Sequence, residues 1–303
     1  MPSAAARTLV KQRSQLIGVI LFTGREHPDI QHPFFLEVLA GLKQTVGGLG
    51  YDLLLFAGEQ PAGDDGDGSH GYARRARHHR VDSVVVLAVD DAEQPELKKL
   101  IASRTPVVAF DLVVNGGRTG YVASDNLGGA RLAVRHLHEL GHRRIATISG
   151  LAHTKPAQDR LLGYRVELQD LGCEPRPHYE EQGDFYTESG EAAMRRLLAL
   201  AEPPTAVFAA SDMMAVGAIK AIEDAGLRCP HDVSVVGFDD VQLAEYVSPP
   251  LTTIRQDKRG LGAAAARSLA QLIDEPESVP PMYVLPAELV VRASTARPPR
   301  RRR

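Results

Sequence analysis

Three polar pairs stand directly after apolar runs in this sequence: Asp125-Asn126 after GYVAS, Ser211-Asp212 after TAVFAA, and Asp239-Asp240 after SVVGF. A carboxylate accepts several hydrogen bonds at once, and the adjacent hydroxyls of a sugar or polyol are the donors that suit it. Phe34, Phe35 and Phe185 could offer flat apolar faces to a ring, although core packing accounts for them equally well. Any one of the polar pairs can simply cap the helix that follows it, because Asp, Asn and Ser accept from free helix N–H groups. Their recurrence at strand ends is what points to a binding edge, since ligands of open parallel sheets sit outside the carboxyl ends of the strands.

Catalytic patterns are weaker. Gly260, Gly262 and Ala265 in RGLGAAAARSLA match a loose dinucleotide fingerprint, but no strand leads directly into them and no acidic residue follows at the required distance. The first turn of an Ala-rich helix explains them better. There is no phosphate-binding loop of the Walker type and no nucleophile elbow. His136 and His138 are two apart on a helix and point in different directions, while His142 lies past the Gly141 stop, so RHLHELGH reads as surface histidines rather than a metal site. We expect no metal, no cofactor and no enzyme activity.

The elements that would carry these residues alternate regularly. LIGVILF (16–22), YDLLLFA (51–57), SVVVLAV (83–89), PVVAFDL (106–112), GYVAS (120–124) and RIATISG (144–150) read as buried strands, and helical spacing fills most of the gaps between them. Further strands near 179–182, at TAVFAAS (205–211) and at SVVGFDD (234–240) alternate with helices over 157–171 and 188–200 and at MMAVGAIKAIEDAG. This is the pattern of an α/β chain with parallel sheets covered on both faces. About eleven strands exceed one sheet of ordinary size, which predicts two subdomains. The run GDDGDGSHG reads as a surface loop, and the basic ARRARHHR after it as the solvated face of a helix.

At 303 residues, 44% hydrophobic and 24% charged, the chain is long enough for two cores and ordinary for a soluble protein. A net charge of −3 supplies no global attraction to nucleic acid or to a membrane, so any such partner needs a local patch. Cys173 and Cys229 are too few for a disulfide framework. No apolar run nears the roughly 20 residues that span a bilayer, and TGREHP after the first run offers no signal-peptide cleavage site. A cytoplasmic location without membrane contact is expected.

Taken together, SDNLGGARLAVRHLHELGHRRIATISG, DRLLGY, SDMMAVGAIKAI, DVSVVGFDD and SPPLTTIRQD resemble the LacI/GalR family of bacterial transcriptional repressors, in order and spacing, from about residue 16 to the end. The resemblance implies a periplasmic-binding-protein-like fold: two doubly wound parallel-sheet subdomains joined by three crossovers, with a small-molecule effector, expected to be a sugar, in the cleft. We place the first subdomain at 16–149 plus 253–280, the second at 150–252 plus 281–296, and a basic tail at 297–303. Carried over position by position, the implied effector contacts are Asp239, Arg160, Asp125, Phe185, Phe34 and Phe35, with Asp111 a weaker candidate. Ser211 falls where some sugar-binding members carry Asn. The loop TGREHPDIQHPFF is longer than is usual for the family.

Residues 1–15, PSAAARTLVKQRSQ after the initial Met, resemble the family's hinge segment, which forms a helix only on operator DNA. The resemblance makes Leu9 the residue that wedges into the minor groove, with Ala5 and Ala6 small enough for close approach. Alone the segment is too short for a stable helix, so the first fifteen residues are expected to be poorly ordered without DNA. The family's helix-turn-helix, which would precede the hinge, is absent from this sequence. Either a helix-turn-helix precedes these residues in a longer natural chain or the protein is a headless relative; the hinge favours the longer chain, which the resemblance implies would bind operator DNA as a homodimer. A solute-binding protein of a transport system has the same fold, but it calls for a secretion signal and no hinge.

Overall fold

The computed structural model describes residues 13–21, 32–56, 71–87, 95–112, 116 and 118–299. The chain divides into two compact units, Met1–Ala123 with Lys258–Leu285 and Ser124–Asp257 with Pro286–Arg303, so it passes between them three times. Among the described residues each unit holds one six-stranded sheet.

The first unit contains β1 (Leu16–Leu21), β2 (Asp52–Phe56), β3 (Ser83–Leu87), β4 (Val107–Phe110), β5 (Thr119–Ser124) and β11 (Met282–Leu285). They lie in the order β11-β5-β4-β3-β1-β2, and the pairs among β1 to β5 are parallel. Side chains alternate across a strand, so a strand buried on both faces must be apolar throughout. In β3, Val85 and Leu87 face helices α1 (Pro33–Gly48) and α9 (Lys258–Asp274). Val84 and Val86 face α2 (Tyr72–His78) and α3 (Pro95–Ile101). The basic run behaves as expected on α2: Tyr72, Ala73 and Ala76 are buried while Arg74, Arg77 and His78 are exposed.

Gly262 has a packing role. A Cβ there would lie 2.1 Å from the Val38 carbonyl oxygen, and one at Gly41 would lie 2.2 Å from that of Arg259. The two glycines face one another where α1 crosses α9, and they let the backbones touch.

The second unit contains β6 (Ile145–Ser149), β7 (Glu180–Gln182), β8 (Ala206–Ala209), β9 (Ser234–Asp239), β10 (Thr252–Gln256) and β12 (Ala287–Val290). Their order is β12-β10-β9-β8-β6-β7, parallel except for the antiparallel edge pair β10–β12. One face packs on α4 (Asn126–Glu139) and α5 (Lys155–Asp170), the other on α6 (Thr187–Leu198) and α7 (Asp212–Asp224).

The division differs from the boundaries expected at 149/150, 252/253 and 280/281. The chain leaves the first sheet after β5, because Ala130, Ala133, Val134 and Leu137 of α4 pack with Ile145, Phe208 and Phe238 of the second sheet. Strand β10 pairs with β9 and stays in the second unit, whereas β11 belongs to the first. The amino-terminal segment is also anchored earlier than expected. Ser14 N–H and Gln15 N–H donate to the Asp82 carboxylate at 2.9 and 2.8 Å, and Arg13 pairs with Asp274 at 2.6 Å.

His142 is not a surface residue. It is buried, with Nδ1 2.9 Å from Thr205 Oγ1 and Nε2 2.8 Å from the Ala296 carbonyl oxygen; His136 Nε2 lies 3.0 Å from Thr295 Oγ1. Together they fasten the last described segment to the unit. Burial lowers the pKa of both rings below the ordinary 6.5, and the charges of His136 and Arg143 add to this at His142. A group that binds its proton more weakly when folded contributes stability that is complete above its unfolded pKa and declines as pH falls through the window below it. The melting temperature should therefore fall as pH is lowered from 7.5 to 5.5. His142→Asn should flatten that slope, and an unchanged slope would exclude His142 as its source.

Candidate functional site

The carboxyl edge of the second sheet collects a set of buried polar groups within one unit. Arg160, on α5, is only 4% exposed. Its Nε donates to Asn126 Oδ1 at 2.8 Å and its Nη1 to the Ala210 carbonyl oxygen at 2.6 Å. The same Nη1 stands 3.7 Å from Asp239 Oδ1, and the guanidinium lies 3.8 Å above the centre of the Phe238 ring. A planar cation over an aromatic face gains from the ring quadrupole. Burial of a charge requires such partners, because the alternative is an uncompensated ion in a poor solvent for it.

Asp239 ends β9. It is buried and accepts from Gln256 Nε2 at 2.6 Å. Its backbone is left-handed, φ 117°, and Asp240 after it has φ 54°. Phe185, in the loop between β7 and α6, has φ 76°, and its ring fills the space beside Gly150, where a Cβ would lie 2.0 Å from Phe185 Cζ. The guanidinium of Arg160 is 5.9 Å from the centre of that ring. Left-handed backbone at a non-glycine residue costs about 1–3 kcal/mol and persists where surrounding contacts over-determine it. Three such residues, in the loops after β7 and β9, mark this edge.

Asp212 opens α7 and is fully buried. It accepts from Val241 N–H at 2.8 Å and from the Thr253 hydroxyl, and Gly237 leaves the space its carboxylate occupies. Burial first, and the neighbouring Asp239 second, push its pKa well above the usual carboxylate range. Asp240 shifts the other way. Burial would raise it, but the Arg255 and Arg292 guanidinium groups hold its carboxyl below the ordinary value.

Comparison with known proteins assigns the chain. Residues 134–295 match the periplasmic binding protein-like domain. The ribose operon repressor of Haemophilus influenzae is 33% identical over 97% of this chain and 85% of its own length. The chain belongs to the LacI family of transcriptional regulators. Among solved LacI-family structures, the CelR–cellobiose complex aligns with a TM-score of 0.84 at 32% identity, over 97% of this chain and 92% of that one. The lac repressor dimer bound to operator and an anti-inducer aligns at 0.80 and 28% identity, over 98% and 99%. The relatives are repressors, not enzymes. No helix among the described residues is long and apolar enough to cross a membrane.

In this LacI-family chain the residues expected at the effector site fall into distinct settings. Arg160, Asp239 and Phe185 come together as described. Asp125 is exposed and caps α4, accepting from Gly128 N–H at 2.8 Å. Ser211 is buried, and its hydroxyl both accepts from Met214 N–H at 3.1 Å and donates to the Phe185 carbonyl oxygen at 2.9 Å. In the first unit, Asp111 follows β4 with φ 51°. Phe34 is buried in the core against Phe110, and Phe35 is half-buried, meeting Phe34 edge-on at 5.2 Å. Ala5, Ala6 and Leu9 lie outside the described residues. Asn126 is one of the strand-end polar residues noted in the sequence but not one of the implied effector contacts, and Phe238 and Gln256 were not expected at the site. Phe238 and Gln256 sit inside the quoted motifs GFDD and TTIRQD, but nothing in their spacing separates them from ordinary strand residues.

Proposed function

We propose that this chain is the effector-binding and dimerisation region of a cytoplasmic LacI-family repressor, and that its effector is a saccharide. The buried Arg160–Asp239 pair beside Phe185 carries the reading. A carboxylate held by Gln256 and an arginine gives fixed acceptors and donors for adjacent hydroxyls, and Phe185 gives a face for the pyranose or furanose ring. Asp125, which caps α4 next to Asn126, adds a further carboxylate at the same edge. The relatives' sugars support the class: cellobiose in the CelR complex, and ribose in a regulator from Enterococcus faecium.

Effector binding would favour one conformation of a homodimer and so alter the repressor's affinity for operator DNA. Such a shift needs a ligand that binds the two conformations with different affinities.

A thermal-shift screen with monosaccharides, disaccharides, purines and sugar phosphates tests the class. Binding to the native state alone adds about 2.7 kcal/mol at a hundredfold excess over Kd. A clear rise in melting temperature is expected with at least one saccharide. A rise confined to purines or sugar phosphates would replace the saccharide.

A further inference from the structure

Ser211 and Asp212 are adjacent in sequence, yet they reach two different loops. The Ser211 hydroxyl donates to the carbonyl of Phe185, and the Asp212 carboxylate accepts the N–H of Val241, two residues after Asp239. Both loops hold left-handed non-glycine residues, Phe185 in one and Asp239 and Asp240 in the other. Local propensity does not maintain such conformations, so tertiary contacts must. The hydroxyl of Ser211 is occupied in both directions, because it also accepts from Met214 N–H. The carboxylate of Asp212 is occupied at both oxygens, by Val241 N–H and by the Thr253 hydroxyl, and Gly237 is the strand residue that leaves room for it. Neither side chain is exposed.

We infer that Ser211 and Asp212 are positioning residues that brace the two ligand-facing loops from the start of α7, Ser211 setting Phe185 and Asp212 setting Asp239, without touching the effector. This revises the role of Ser211 expected from its place in the sequence, where it counts among the ligand contacts. The inference rests on the proposed function only for what Phe185 and Asp239 hold; the brace itself is a property of the free protein.

Hydrogen exchange on the ligand-free chain therefore tests it without any effector. Ser211→Ala should speed exchange at least tenfold in the segment 183–190 and leave 237–242 unchanged. Asp212→Ala should do the reverse, with the Val241 amide most affected. Ser211→Thr and Asp212→Asn keep a hydroxyl and an amide acceptor in place and should restore protection. If either Ala variant fails to fold, Ser211→Cys or Asp212→Leu, which keep the volume but weaken or remove those hydrogen bonds, takes its place, and loss of protection confined to that variant's own loop supports the brace. Uniform acceleration across the unit, or none at either loop, would overturn it.

The saccharide that raises the melting temperature of wild type then supplies a second readout. Ser211→Ala should weaken its binding at least tenfold in wild type but by less than twofold in a Phe185→Ala background, as coupled sites do. Fully additive losses would mean that Ser211 meets the ligand directly. Failure of every saccharide would remove the proposed effector class and leave the exchange result standing.

Discussion

Arg160→Ala should remove measurable effector binding and, at the same time, lower the unfolding free energy by about 3–5 kcal/mol. An arginine that served the ligand alone would leave the fold intact when truncated, but the surroundings of Arg160 argue otherwise. Arg160 is buried on α5 and supplies donors for the Ala210 carbonyl and the Asn126 side chain, and a cation 3.7 Å from Asp239. Truncation takes a donor from each of two acceptors and a cation from beside a buried carboxylate at once, which is costlier than the loss of any single bond. Urea unfolding with calorimetric titration separates the two effects. Asp239→Asn keeps the volume and an acceptor for Gln256 while deleting the charge, so it should abolish binding with a much smaller change in stability. If Arg160→Ala leaves stability within about 1 kcal/mol of wild type, the buried-pair description of this site is wrong.

Gly262→Val should be the most damaging single change in the first unit, at about 3 kcal/mol or more. The added Cβ would lie 2.1 Å from Val38 O and 2.5 Å from Leu42 N, both backbone atoms of α1. A side chain can swing aside, but a helix backbone cannot, so α1 and α9 would have to separate along a shared apolar face. Their contact carries Val38, Leu42, Leu261, Ala265 and Leu269 of the core. Gly47→Ala makes the contrast within α1. A Cβ there meets nothing within 4 Å, and alanine favours the helix by about 1 kcal/mol over glycine. The two variants should move the urea midpoint in opposite directions, and equal shifts would mean that helix propensity rather than close approach governs both glycines.

Much of the architecture was legible because parallel strands covered on both faces must be apolar along nearly their whole length, as β1, β4 and β8 are throughout and β3, β6 and β9 are apart from Ser83, Thr147, Ser149, Ser234 and Asp239. Which sheet each strand joins was not legible. The stretch from α4 to β6 looks like any other βα unit, and its membership is decided by non-local pairing of β6 with β8 and by α4 packing on Phe208 and Phe238. No Pro- or Gly-rich linker marks the crossovers. His142 misled for a related reason: a histidine past a helix-ending glycine reads as solvated, and only the distant Thr205 and Ala296 make it a buried clamp.

The candidate site divides in the same way. Polar residues at strand ends are visible in sequence, but the choice of Asp239 among them, and of Arg160 within α5, came from family resemblance, since nothing local to DRLLGY predicts a buried guanidinium. Gln256 and Phe238 were missed because both are buried strand residues, Phe238 in the core itself, and their spacing does not set them apart from their neighbours. Ser211 was placed at the right edge, but its hydroxyl faces Phe185 and the end of its own helix.

Calorimetric titration tests most directly whether Asp239 and Arg160 hold a saccharide. The chain and its Asp239→Asn variant would be titrated with the saccharide that gives the largest thermal shift, with cellobiose and ribose in the same series. Saturable binding at one site per chain is expected in the wild type and none in the variant, with both proteins folded. Equal affinity for the two proteins, or saccharide binding to neither, would contradict it.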